Sequence, residues 1–154
     1  MKWLFKSEPE TFSIFDLKKS PGGKNYWDGV RNYQARNFLR DSVKVGDGVL
    51  FYHSNTEPIG IAGEALVVKS GYPDPTQFDR KSQYYDEKAT PQKPIWYVVD
   101  VKFIRACHEV ISLRKLEKIS ALKNMVVLKR GVRLSIQPVT ESEWTAITKL
   151  PEWR

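Results

Sequence analysis

Apolar residues along this chain fall into short blocks whose spacing changes character from one segment to the next. Trp3-Leu4-Phe5 is a compact apolar block ended by Lys6-Ser7-Glu8-Pro9, where the proline confines Glu8 to extended geometry, so a strand running into a polar turn is predicted. Ser13 has the chemistry of an N-cap for a short helix from Ile14 to Lys19, and Ser20-Pro21-Gly22-Gly23 stops it. From Asn32 to Ser42 the period is helical. Ala35, Phe38 and Leu39 share one side, and Tyr33, Arg36 and Arg40 lie on another flank.

Val49 to His53 and Ile59 to Val68 predict two strands that pair as a hairpin, after the turn-rich Gly46-Asp47-Gly48. Gly71 to Pro94 has neither period and holds four of the nine prolines together with Tyr72, Phe78, Tyr84 and Tyr85. Loops of that length in a small domain are usually functional or disordered, and the aromatics argue against disorder. A long strand from Ile95 to Cys107 follows, then a short helix begun by Ser112, a final strand over Arg133 to Gln137, and a helix from Glu141 to Lys149 opened by a Thr140-to-Glu143 capping box. About six strands interleaved with four short helices give an α+β chain, a curved sheet or barrel flanked by helices.

Composition narrows the class. With 154 residues, 41% hydrophobic and 28% charged, the chain has room for one domain with a proper core. No apolar run approaches the roughly 20 residues that span a bilayer, so no membrane partner is predicted and an intracellular protein is expected. The net charge of +7 would attract polyanions such as nucleic acid, although basic residues are spread along the chain and ordinary solubilising charge explains them equally well.

Catalytic chemistry finds little support. The single Cys107 rules out an intramolecular disulfide, and its neighbour His108 points to the opposite side of the predicted strand, so Cys107 reads as a packing residue. Two histidines and one cysteine do not make a zinc site, and the loop acids Asp74, Asp79 and Asp86 read as solvated rather than as magnesium ligands. No phosphate loop or dinucleotide fingerprint is present. A binding role without cofactor or metal is therefore the starting point, with an enzyme acting on a nucleotide, or a small structural protein, as the alternatives.

The chemistry concentrates in NYWDGVRNYQARNFL, Asn25 to Leu39, around a tight Asp28-Gly29 turn. An indole for stacking, planar amides with both donors and acceptors, and planar guanidinium forks suit a nucleobase better than a sugar or a fatty acid. The plainer reading is that Tyr26 and Trp27 plug the core while Asn32 caps a helix. Arg31, Arg36 and Arg40 are placed to meet flanking phosphates, with Arg133 as a further phosphate contact.

Five segments in order, WLFKSEP from Trp3, WDGVRNYQARNFL from Trp27, FYHSN from Phe51, YPDPTQFD from Tyr72 and RLSIQPVT from Arg133, resemble the EVE domain family over nearly the whole chain. The resemblance implies a PUA-like fold, a twisted β-barrel with flanking helices. It also implies binding of RNA or DNA through a pocket for a modified base, 5-methylcytosine or its oxidised forms in some members. Lys6-Ser7, and Trp27 followed by Asn32, are similar to the pattern of the related YTH domains, in which a serine, a cage tryptophan and an asparagine surround the base. The expected pocket is therefore Ser7, Trp27 and Asn32 with the strand end Tyr52-His53-Ser54. Lys6, Glu8, Val30, Phe78, Tyr84 and Tyr85 would act as its walls or lid, in a protein acting as a monomer.

Overall fold

The structure, a computed structural model, describes residues 1–154. Strands β1 (Lys2–Ser7) and β3 (Gly48–His53) show what the apolar blocks do. Trp3, Phe5, Val49 and Phe51 join one core cluster, whereas Leu4, Leu50 and Tyr52 join a second on the opposite face. Successive strand residues point to opposite faces, so a strand buried on both reads as a block rather than an alternation.

In full, α1 (Ile14–Lys19), β2 (Lys24–Tyr26) and α2 (Tyr33–Asn37) lie between β1 and β3. After β3 come β4 (Gly60–Pro73), β5 (Tyr97–Ser112), α3 (Leu113–Glu117), β6 (Ile136–Val139) and α4 (Glu141–Thr148). The strands form one sheet of order β2-β5-β4-β3-β1-β6. β1 and β3 are parallel because the chain crosses over through α1, β2 and α2 between them, and every other pairing is antiparallel. Leu17, Ala35 and Leu39 cover one face, while Leu116, Leu122 and Ile147 cover the other.

The predicted caps form: Ser13 and Thr140 close reciprocal capping boxes, and Ser112 caps α3. The predicted 49–53 and 59–68 hairpin is the antiparallel β3–β4 pair. Other boundaries move. The Asn32-to-Ser42 helix divides into α2 and a π-helical turn over Phe38–Ser42. The last strand begins at Ile136 rather than Arg133, and the Gln137 side-chain Nε2 donates back to the Leu134 carbonyl at 2.8 Å. β2 is a three-residue edge strand with no pattern of its own, fixed by pairing Asn25 opposite Val101.

The expected barrel does not close. β2 and β6 are the two edges of the sheet and do not pair with each other, although repeated register shifts along β4 and β5 mark the irregularities that bend strands. At one end the two edges are nevertheless brought to a common cavity, lined by Tyr26 at the end of β2 and by Ser135 just before β6. The two ends of the long segment after β4 are tied together by Gln77. Buried Gln77 donates to the carbonyls of Asp74 and Trp96, both at 2.8 Å, and accepts from the amides of Ile95 at 3.0 Å and Trp96 at 2.9 Å. All four hydrogen-bonding positions of its amide are thus used to tie the two ends of the segment together.

Candidate functional site

The cavity between the sheet edges measures about 350 Å³, at the small end of the roughly 300–1,000 Å³ typical of small-molecule sites. The polar end of β1 supplies Lys6, Ser7 and Glu8. The chain leaving β2 supplies Tyr26 through Arg31, and the long segment contributes Gln83 and Tyr84. Thr11 and Phe12, leading into α1, complete the wall with Ser135.

Trp27 is held by the fold before it meets any ligand. Its amide continues the β2–β5 ladder by donating to the Val99 carbonyl at 2.8 Å. Its ring is packed by Phe5 at 5.2 Å and edge-on by Phe51 at 5.1 Å and Phe12 at 6.3 Å between centroids. The residue is only 6% exposed. It therefore forms a wall of the cavity rather than an open stacking platform. Its indole N–H donates to no protein group, yet the one buried side-chain N or O atom without a partner is Gln137 Oε1. The Trp27 N–H is consequently not sealed off, and Trp27 is a residue of the cavity wall.

The turn after Trp27 is fastened from beneath. Buried Asp74 accepts from the Gly29 amide and the Arg31 guanidinium, each at 3.1 Å, and from the Thr76 amide at 2.7 Å. Arg31 also donates to the Tyr84 carbonyl at 2.7 Å and lies over the rings of Tyr84 at 5.5 Å and Trp96 at 5.3 Å. Gly29 has φ +77°, and a Cβ there would come within 2.5 Å of the Tyr84 ring. Only glycine permits both that turn and that contact.

Burial shapes the electrostatics of the wall. It pushes the Asp28 carboxyl up, helped by the nearby Asp74 charge and opposed by a backbone N–H and Arg31. It raises Tyr26 and Tyr84, with neighbouring acids adding to the effect, and lowers Lys6. Acid and base are both driven toward their neutral forms, which suits a flat polar ligand without a formal charge better than a phosphate.

The model of the EVE domain family matches residues 1–150. The chain belongs to the EVE domain family. Human thymocyte nuclear protein 1 is 45% identical over 97% of this chain and 73% of its own length. A solved protein from Pseudomonas syringae has a TM-score of 0.91 at 47% identity, covering 96% of this chain and 97% of that one. Human THYN1, crystallised in complex with DNA containing 5-methylcytosine, has a TM-score of 0.87 at 45% identity, covering 95% and 94%.

In this EVE domain Lys6, Ser7, Glu8, Trp27, Val30, Arg31 and Tyr84 do line one cavity. Ser54 and Arg133 line an adjoining groove that shares Lys6, Ser7, Glu8 and Ser135 with it. The other expected pocket residues do not line the cavity. Asn32 is the N-cap of α2, its Oδ1 accepting from the Ala35 amide at 2.9 Å, and it borders a separate cleft with Arg133. Tyr52 faces the second core because strand alternation turns it away, and burial pushes its phenol up to about 12. His53 is buried with its Nε2 accepting from the Ile14 amide at 3.1 Å, where it serves the start of α1. Phe78 and Tyr85, on the same long segment, are not part of the cavity wall.

The arginines are corrected in the same way. Arg31 is committed to Asp74 and Tyr84, Arg36 donates to the Ile95 carbonyl at 2.9 Å, and Arg40 pairs with Asp41 at 2.8 Å. By contrast Arg133 is exposed, as are Lys129 and Arg130 beside it, and the five ion pairs of the molecule use none of the three. Thr11, Phe12, Tyr26, Asp28, Gln83 and Ser135 line the cavity without having been assigned to it from sequence. The Trp27-Asp28-Gly29 turn carried a signal for Asp28, whereas Thr11, Phe12, Gln83 and Ser135 carried none. Cys107 sits in the second core with its thiol pushed up to about 12 by burial, so it is protonated at neutral pH. No helix is long and apolar enough to cross a membrane.

Proposed function

We propose that this EVE domain binds DNA or RNA by admitting one modified base of cytosine type into the cavity between its sheet edges. The observation that carries this reading is the accessible, unpartnered Trp27 indole N–H in the wall of a cavity that disfavours formal charge. The 5-methylcytosine DNA bound by human THYN1 supports the choice of base. Extruding a base costs a few kcal/mol, which aromatic contact with the half-buried rings of Phe12, Tyr26 and Tyr84 helps to offset. The strand outside the cavity follows the adjoining groove to Arg133 and on to the cleft that Arg133 shares with Lys129, where these exposed cations, with Arg130 next to Lys129 in the chain, meet phosphates. The role is recognition rather than catalysis, exercised inside the cell, as the name of the thymocyte nuclear relatives suggests.

The test is a titration of two oligonucleotides identical except for one 5-methylcytosine in place of cytosine. A methyl group fitted into an apolar corner gives a preference of about ten-fold for the methylated strand. Equal affinities for the two strands would remove the modified-base reading and leave a general nucleic-acid binder.

A further inference from the structure

Trp27 and Asp28 are consecutive, both line the cavity, and they carry complementary unmet hydrogen-bonding capacity. The indole N–H is a donor without an acceptor. The Asp28 carboxylate is an acceptor without a side-chain donor, although the residue is half-buried. The other acids nearby differ. Asp74 is saturated by the Gly29 amide, Arg31 and Thr76, and Glu8 stands exposed at the rim. Ser7 already donates its hydroxyl to the Phe12 carbonyl at 2.6 Å. Within the wall, Asp28 is therefore the enclosed carboxylate left for a ligand, beside the half-buried hydroxyls of Tyr26, Tyr84 and Ser135, which can donate as well as accept.

A donor and an acceptor on consecutive residues of one cavity wall match an edge that offers an acceptor and a donor in the complementary order. Cytosine presents its N3 acceptor beside the N4 amino donor. Thymine and uracil reverse both, with an N3–H donor and an O4 acceptor, and an O4 turned toward a carboxylate is repelled. From this we infer that Asp28 is the specificity-determining residue of the cavity, accepting from the exocyclic amino group of the admitted base and rejecting bases that carry a keto oxygen there. The inference rests on the base-admitting reading above and narrows it to amino-bearing bases. 5-Methylcytosine and thymine make the sharpest pair to compare, since they share the ring and the 5-methyl group and differ in that edge.

The experiment titrates wild type, Asp28→Asn and Asp28→Ala against three strands differing at one position: 5-methylcytosine, cytosine and thymine. Wild type should prefer 5-methylcytosine to thymine by about 10- to 100-fold, the size of one good base-edge contact. Asp28→Asn, whose amide can donate to O4, should narrow that preference by at least about three-fold, the Trp27 N–H still opposing the thymine N3–H, and Asp28→Ala should narrow it by weakening the 5-methylcytosine strand. In both variants the ratio of 5-methylcytosine to cytosine should be unchanged, which shows that the methyl is still being read. If that ratio holds while both variants keep the full preference over thymine, the assignment of Asp28 is overturned and the base-reading cavity stands. If wild type binds all three strands alike, the base-reading cavity fails and takes the Asp28 assignment with it.

Discussion

Asp74 and Asp28 lie on either side of the same turn and have opposite fates. Around Asp74 and Gln77, carboxylate, amide, guanidinium and backbone groups are hydrogen-bonded to one another, and the segment from Asp74 to Trp96 is held in place by them. At Trp27 and Asp28 an indole N–H and a carboxylate are left without side-chain partners beside a cavity of about 350 Å³. Satisfied buried networks rigidify a structure, whereas polar groups left open at a cavity are free to recognise something else. The first region builds the second: Asp74 holds Gly29 and Arg31, and Arg31 holds the backbone of Tyr84.

The contrast is tested most severely by the two acids. Asp74→Ala strands Arg31 and the Gly29 amide, and should cost about 3 to 5 kcal/mol in urea unfolding. Asp28→Asn should be neutral or slightly stabilising at pH 7. The sign follows from the raised Asp28 pKa: the folded state holds the proton more firmly than the unfolded one, so its contribution weakens as pH rises through the folded pKa, and an uncharged amide avoids that loss. Comparable destabilisation by both variants would erase the distinction between them.

A smaller effect sharpens the link between the regions. Gly29→Ala places a Cβ against Tyr84 at a left-handed φ, which should cost about 1 to 3 kcal/mol and displace the ring, lowering affinity for the methylated strand. Unchanged stability and binding would show that the Gly29–Tyr84 contact is not needed. Smaller again is the pH response of His53, whose pKa is lowered by burial against the opposing pull of Asp16. Its neutral ring accepts from the Ile14 amide, so stability should be level above about pH 6.5 and fall as pH drops below that value toward the folded pKa. His53→Gln should flatten that limb in urea titrations at several pH values, and an unaltered limb would assign it to other groups. The least effect on stability is expected from the exposed cations, which act on binding. Replacing Lys129 and Arg133 with Gln should reduce the salt slope of binding by about two phosphate contacts, whereas Arg36→Gln should leave it unaltered because that guanidinium is held by Ile95.

Local chemistry was legible in the sequence where a residue acts on its near neighbours. Ser13, Ser112 and Thr140 cap the helices they were predicted to cap, and the apolar blocks at Trp3 and Val49 became core strands. The plainer reading of Asn25 to Leu39 was also correct in part, since Asn32 caps a helix and Trp27 packs in the core. What was not legible depends on distant partners. Arg31, Arg36 and Arg40 appeared free because Asp74 and Ile95 are remote in sequence and Asp41 gives no sign of its rotamer. Tyr52 and His53 have the residue types of a polar strand end, but β3 is buried on both faces. Ser135 and Phe12 reach the cavity only through the placement of β6 and α1, which no local pattern encodes.

The central claim, that a base enters the cavity against the Trp27–Asp28 wall, is tested most directly by the indole N–H signals of the five tryptophans in a ¹H–¹⁵N spectrum. Trp3, Trp96 and Trp153 donate internally to Asp47, Asp86 and the Ile147 carbonyl, at 2.9, 2.8 and 2.9 Å. Adding an oligonucleotide with a single 5-methylcytosine should shift the Trp27 signal strongly, as a free donor finds an acceptor, while those three move little. Saturable binding of the same strand with the Trp27 signal unmoved would contradict the account.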